Sequence, residues 1–240
     1  MKRVVFLVLI FGLLLMPVQA HAQAFTVPIL AYHSICTQEV SDNCVPVQMF
    51  RAQTQYLRQA GYQTVTFQDL LRWEMGIGLL PKKPILLTFD DGYHDNYTNA
   101  FPMLRQQGMR ATVFLIARKV GQKGYLNWDE VRDMAQHGFE FGGHTLTHLD
   151  VTKLTSAEQR EEIGLCKQEI EAQLGRPVIA FAYPYGQFND AAEQVVKDSG
   201  YRYAVSGRSG HAALFEEPFH LKRVVLSGYV SMAEFKKDLL

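Results

Sequence analysis

Apolar positions along the chain follow two periods in turn. Short runs bounded by Pro, Gly or polar clusters read as buried strands at residues 27–33, 64–67, 85–89, 111–116, 139–143, 178–183, 203–206 and 221–225. Between them the apolar residues recur at helical spacing, predicting helices over 46–60, 67–74, 96–107, 127–136, 155–174, 189–199 and 231–239. Gly61, Gly108, Gly138, Gly175 and Gly200 stand where helices should stop, and Thr155-Ser156-Ala157-Glu158 has the form of a capping box. Strand and helix alternate throughout. That order predicts a parallel α/β architecture, either a barrel or a doubly wound sheet.

The first stretch breaks this rhythm. Lys2 and Arg3 precede a nearly continuous apolar run over residues 4–18, and small residues alternate through Ala20, Ala22 and Ala24. This reads as a secretory signal peptide over 1–22, followed by one domain over 23–240. The mature chain is then exported, periplasmic or secreted, with no stable membrane span after cleavage. Export permits disulfides. Cys36 and Cys44 bracket one polar loop and read as a loop-closing bridge, whereas Cys166 sits in a helical pattern and reads as a small buried residue.

Composition adds one exclusion. Lys plus Arg equals Asp plus Glu, at 24 each, so no net basic charge points to a nucleic-acid partner.

Candidate chemistry gathers where strands end. The run Pro84 to Phe89 stops at Asp90-Asp91-Gly92. Two adjacent carboxylates repel, so they stay close only with a cation or a shared proton. The predicted strand at 139–143 leads into His144-Thr145-Leu146-Thr147-His148. Imidazoles four residues apart face one point if the segment turns helically. With one Asp they make three nitrogen and oxygen donors, the usual count for a catalytic zinc with an open position. A third strand ends at Tyr183-Pro184-Tyr185-Gly186, where two tyrosines could line a sugar-sized groove. His94 and Asp95 read as solvated loop residues.

Thr88-Phe89-Asp90-Asp91-Gly92, His144-Thr145-Leu146-Thr147-His148 and Tyr183-Pro184-Tyr185-Gly186 together resemble the signature motifs of the polysaccharide deacetylases, the NodB-homology enzymes of carbohydrate esterase family 4. The opening Leu30-Ala31-Tyr32-His33-Ser34-Ile35 is similar to the subgroup acting on poly-N-acetylglucosamine. The resemblance implies a distorted (β/α)7 barrel and a hydrolase that removes acetyl groups, chiefly N-acetyl, from a cell-envelope or extracellular glycan. It implies one divalent metal, Zn2+ with Co2+ or Ni2+ as alternatives, held by Asp91, His144 and His148. Asp90 would be the general base, His33 the general acid with His220 as the alternative, and Tyr185 would serve the oxyanion, with Tyr183 and Pro184 shaping the substrate side.

The chain departs from the family pattern at Ala182, where an Arg usually orients the catalytic base. Arg118, Lys119, Arg208 and Arg223 are candidate replacements. The missing Arg also motivates an alternative function, a catalytically inactive carbohydrate-binding relative.

Overall fold

The computed structural model describes residues 26–37, 40–214 and 217–239. The leader read over residues 1–22 lies outside the described residues. Seven strands carry the fold: β1 (Ile29–Tyr32), β2 (Pro84–Phe89), β3 (Thr112–Leu115), β4 (Glu140–Gly143), β5 (Ala180–Ala182), β6 (Tyr203–Ser209) and β7 (Leu221–Val225). Each pairs in parallel with the next, and β7 pairs in parallel with β1. The ring is closed, which decides between the two architectures in favour of the barrel. It is uneven: β4 and β5 meet through a single pair, Gly143 with Phe181.

Alternation along the strands sorts side chains between two cores. Ile29, Leu86, Phe114, Ala180, Ala182, Tyr203, Val205 and Leu221 belong to one buried cluster, inside the ring. Leu30, Tyr32, Leu87, Phe89, Val113, Leu115 and Phe181 belong to the other, between the strands and the surrounding helices. Successive residues of a strand face opposite sides. Counting on by twos from Leu86 places Thr88 and Asp90 on the interior side, and counting from Leu221 places Arg223 there as well. The same parity puts Tyr183 outside, with Phe181.

Two predicted helices contain a wider turn. The segment 96–107 opens with a π-turn over Asn96–Ala100 before the helix Phe101–Gln106, and the segment 155–174 has one over Glu161–Leu165, between Ser156–Arg160 and Cys166–Leu174. A π-turn adds a residue and re-aims the side chains around it. Here Asn96 Nδ2 donates to His33 O at 2.8 Å and Asn99 Nδ2 to Ile35 O at 2.6 Å. Glu162 accepts from Thr147 N at 2.9 Å and Thr147 Oγ1 at 2.8 Å. Both irregular turns therefore brace loops at the strand C-termini.

The strand expected at 64–67 is only Gln63–Thr64, pairing with the start of β2 outside the ring. Thr66 is diverted to cap the helix Phe67–Glu74 in a capping box with Asp69. Cys36 and Cys44 are bridged, with Cα atoms 5.8 Å apart. Cys166 is buried, and burial pushes its thiol up to about 12. No helix among the described residues is long and apolar enough to cross a membrane.

At the opposite rim, Glu140 opens β4 and reaches the start of the helix Phe67–Glu74. It accepts from Phe67 N at 2.7 Å, Gln68 N at 3.2 Å and Thr112 Oγ1 at 3.0 Å. Burial outweighs these bonds and lifts the carboxyl from 4.5 to about 7. The folded protein then holds a proton that the unfolded chain has released, so this group's contribution to stability falls as pH rises from 4.5 to about 7. Unfolding free energies of the native protein and Glu140→Gln, compared across that range, should diverge by about 1–3 kcal/mol in favour of the variant at the upper end. Parallel pH curves would show that Glu140 titrates normally.

Candidate active site

The ends of β1, β2, β4, β5, β6 and β7 surround a cavity of about 250 Å³. Its walls include His33, Asp90, Asp91, His144, His148 and Tyr185. Residues distant in sequence thus converge on the strand C-terminal rim, the usual place for chemistry in α/β barrels.

Asp91, the first residue beyond interior Asp90, adopts a left-handed conformation with φ of 73°. Its Oδ1 is buried, has no hydrogen-bond partner, and lies 3.4 Å from both His144 Nε2 and His148 Nε2. His144 Nδ1 lies 2.7 Å from Ala182 O. A carbonyl only accepts, so Nδ1 carries the proton and the neutral ring turns the lone pair of Nε2 toward Asp91. Three donor atoms, all within 4.8 Å of one another, therefore point lone pairs at one small volume. Such a set suits a divalent cation with nitrogen and oxygen ligands. Burial works against charge on His144, yet the neighbouring Asp91 and Asp90 carboxylates raise its pKa. Burial and neighbouring His144 lower that of His148.

The segment His144–His148 does not turn helically, as the spacing had suggested. Thr145 and His148 have φ of 62° and 70°, and the two imidazole centroids stand 4.9 Å apart. Glu162 anchors Thr147 from the π-turn, and His148 N donates to Thr145 Oγ1 at 2.9 Å. Before the loop, a Cβ on Gly142 would come within 2.5 Å of the Phe114 ring, and one on Gly143 within 2.3 Å of the Tyr201 hydroxyl. Only glycines allow β4 to deliver His144 this deep.

Asp90 has a different partner. Arg223, 3 % exposed, donates from both terminal nitrogens to the two carboxylate oxygens at 2.8 Å each. It also donates from Nε to Ser206 O at 3.3 Å and from Nη1 to Thr88 Oγ1 at 3.3 Å. Burial alone would raise the Asp90 carboxyl, but the charge and hydrogen bonds of Arg223 hold it well below the usual range. The other candidates are engaged elsewhere: Arg118 faces Glu169, Lys119 covers Tyr125 and Arg208 covers Phe188. Sequence reasoning placed Arg223 among four possibilities. Its interior strand parity, shared with Leu221, is the signal that singles it out.

His33 lies in the cavity wall with a buried, unpartnered Nδ1. Tyr185 is 65 % exposed, its ring centroid 4.7 Å from that of His148 and its backbone left-handed at φ 59°. Tyr183 does not line the groove. It is fully buried on the outer side of β5, stacks on Phe188 and donates its hydroxyl to Phe219 O at 3.0 Å. Pro184 is buried too and shapes the turn from behind. His220 is outside the cavity wall, 2.8 Å from Glu193 and stacked on Phe188. Asp95 is not free in solvent: it is half-buried, accepts from Ser34 Oγ and Asn96 Nδ2, and burial raises its carboxyl.

The polysaccharide deacetylase profile matches residues 78–204, which span the aspartate pair, the histidine loop and the tyrosine turn. The chain belongs to the polysaccharide deacetylase family. It is 33 % identical over 208 residues to YxkH of Bacillus subtilis, covering 87 % of this chain and 74 % of that one. Against the poly-β-1,6-N-acetyl-D-glucosamine N-deacetylase of Staphylococcus aureus it is 25 % identical, covering 82 % and 72 %. Among solved structures it is similar to the Streptococcus pyogenes deacetylase PplD in complex with acetate, with a TM-score of 0.84, 26 % identity and coverage of 90 % and 99 %. The fold also matches IcaB of Ammonifex degensii, with a TM-score of 0.77, 26 % identity and coverage of 89 % and 95 %.

The Asp90–Arg223 pair is fully formed above the ordinary aspartate range and is lost as pH falls through the depressed folded value. Arg223→Met should destabilise the protein by about 3–5 kcal/mol at pH 7, because it strands a buried carboxylate. Adding Asp90→Asn to that variant should recover much of the loss. A double-mutant cycle by denaturant unfolding checks this, and additive effects would remove the coupling.

Proposed function

We propose that this protein is a metal-dependent N-deacetylase of an acetylated glycan outside the cytoplasm. The observation that carries the reading is the buried, unpartnered Asp91 Oδ1 facing His144 and His148, beside a second carboxylate tied to Arg223.

Asp91, His144 and His148 would hold the ion, Zn2+ first, with Co2+ and Ni2+ suited to the same donors. When bound, a divalent ion acidifies a coordinated water to a pKa of about 7 and polarises an acetamide oxygen. The protein supplies the rest. Asp90 accepts the proton of the attacking water. A carboxylate held so low is a weak base, but an acidified water needs only a fixed acceptor within hydrogen-bond reach. Arg223 fixes that acceptor and keeps it ionised. The backbone N–H of Tyr185 would stabilise the oxygen that gains charge. His33, also in the cavity wall, would give a proton to the departing amine. Release of acetate and a free amine balances the hydrolysis.

The similarity to the poly-β-1,6-N-acetyl-D-glucosamine N-deacetylase and the open rim support this substrate class. A partially exposed site at a barrel mouth suits a polymer better than an enclosed cavity would. Export follows from the leader read in the sequence. The pairing of Arg223 with Asp90 supports the active reading over the inactive binding relative.

Chelator-stripped protein should release no acetate, and Zn2+, Co2+ or Ni2+ should restore release from β-1,6-linked N-acetylglucosamine oligomers. Chito-oligosaccharides, peptidoglycan fragments and acetylated xylan complete the screen. Asp90→Asn and His33→Asn should each lower kcat by about 10²–10⁴-fold, the range for loss of a general base or acid. Equal rates for Asp90→Asn and the native protein would sink the proposed base.

A further inference from the structure

The rim opposite the cavity carries a loop that the fold does not bury. It joins the helix Phe67–Glu74 to β2, which begins at Pro84. The helix ends in a Schellman turn: Gly76, at φ 72°, donates its N–H to Trp73 O at 2.9 Å, and Ile77 N donates to Arg72 O at 2.9 Å. In such a turn the residue after the glycine often packs back on an apolar side chain of the last helical turn. Here the residue it would meet is Arg72, and Ile77 stays 62 % exposed. Met75 and Leu79 are exposed as well, at 64 % and 96 %. The flanks are anchored instead: Leu71, Trp73 and Leu80 pack against the core inside the ring. Three large apolar side chains between residues 75 and 79 therefore stand out from a loop whose backbone and flanks are fixed. Apolar residues scattered singly on a surface need no account, but a clustered set marks an interaction site.

The charge around the loop selects the partner. Between residues 70 and 83 the cations are Arg72, Lys82 and Lys83, against a single acid, Glu74. Glu74 lines a cavity together with Arg202, and Asp69, just upstream, pairs with Arg110 at 2.9 Å. Lys83 Nζ donates to Ala60 O at 3.0 Å, while Lys82 is exposed. Apolar side chains flanked by cations match a bilayer surface, where acyl chains lie beneath anionic headgroups. The path of the chain agrees. Thr26 and Val27 pair with Ala213 and Ala212 just ahead of β1, so the polypeptide enters the barrel at this same rim, beside β2. The apolar run of the leader ends at residue 18, shortly before that entry. In the signal-peptide reading that run is held at the bilayer during export, which leaves this rim the side of the barrel nearest the lipid.

We propose that the loop Met75–Leu79, flanked by Arg72 and Lys82, docks the N-terminal rim of the barrel onto an anionic phospholipid surface, with its apolar side chains entering the boundary between headgroups and acyl chains. The cavity then faces away from the lipid. β2 runs six residues, at about 3.3 Å each, so Asp90 stands roughly 20 Å above the docked end. The proposal does not depend on the chemistry of the cavity.

Both described cores are built from residues 27–239, so the chain from residue 23 keeps the whole barrel and lacks the leader's own affinity for lipid. Its co-sedimentation with vesicles of phosphatidylglycerol and phosphatidylethanolamine, set against vesicles of phosphatidylcholine, measures docking. The native chain should bind the anionic vesicles at least about tenfold more tightly than the neutral ones, and high salt should weaken that binding. Ile77→Ser/Leu79→Ser should lower affinity for the anionic vesicles by at least about tenfold, and Lys82→Gln by about fivefold. Leu79→Ser alone, at a side chain the fold barely touches, should also lose affinity several-fold and serves if the double variant fails to fold. Failure of the native chain to bind anionic vesicles would overturn the proposal. So would equal binding by the native chain and the serine variants. Self-association of the native chain in sedimentation velocity, lost in the serine variants with no lipid binding by either, would assign the loop to a second copy and overturn it too.

Discussion

Consecutive carboxylates at the end of a buried strand impose the constraint around which this barrel mouth is arranged. At 4 Å and the effective dielectric of a protein site, two like charges repel by about 4 kcal/mol. The chain resolves this by turning the two aspartates toward different partners. Asp90 keeps the interior parity of β2 and meets Arg223. Asp91 turns through a left-handed residue and faces the two imidazoles. What began as repulsion becomes a division between a carboxylate held by Arg223 and one that faces two histidines.

The division has a local cost. Asp91, Thr145, His148 and Tyr185 are the non-glycine residues with positive φ among the described residues, and all four lie in the three motifs. Each such residue costs roughly 1–3 kcal/mol unless its surroundings enforce it. For the histidine loop the enforcement is visible in its supports: Glu162 on Thr147, Thr145 Oγ1 on His148 N, and Ala182 O on His144. Glu162 comes from a π-turn, so an irregular helix and a strained loop are parts of one device. Ala182 shows the same economy. It faces the barrel interior, on the same side of the strands as the guanidinium that arrives from β7.

Much of this was legible in the sequence, for reasons that also set its limits. Strand and helix order followed from apolar period, and Gly61, Gly108, Gly138 and Gly175 each follow the end of a helix, all with positive φ. The donor set was readable because Asp91 and His144 stand within two residues of strand ends and His148 belongs to the same motif as His144. Tyr183 misled because it stands one residue before a turn, and a shift of one along a strand exchanges inside for outside. The histidine loop was not helical because four-residue spacing can be closed by two left-handed residues as well as by a helical turn. Arg223 was named only as one of four: its strand parity marks it as interior, but no local pattern reports a partner 133 residues away. Sequence periodicity records what each element buries against its neighbours; it does not record which interior side chains meet across a closed ring.

The separation of the two aspartates is open to one direct comparison, zinc affinity of Asp90→Asn and Asp91→Asn measured side by side by chelator competition. Asn tolerates the left-handed backbone at position 91, so neither change should disturb the turn. The account predicts that Asp90→Asn binds zinc within a few-fold of the native protein. It predicts that Asp91→Asn loses affinity by at least roughly 100-fold, the upper end of what losing a mere supporting partner costs. Equal losses in the two variants, or a larger loss in Asp90→Asn, would contradict it.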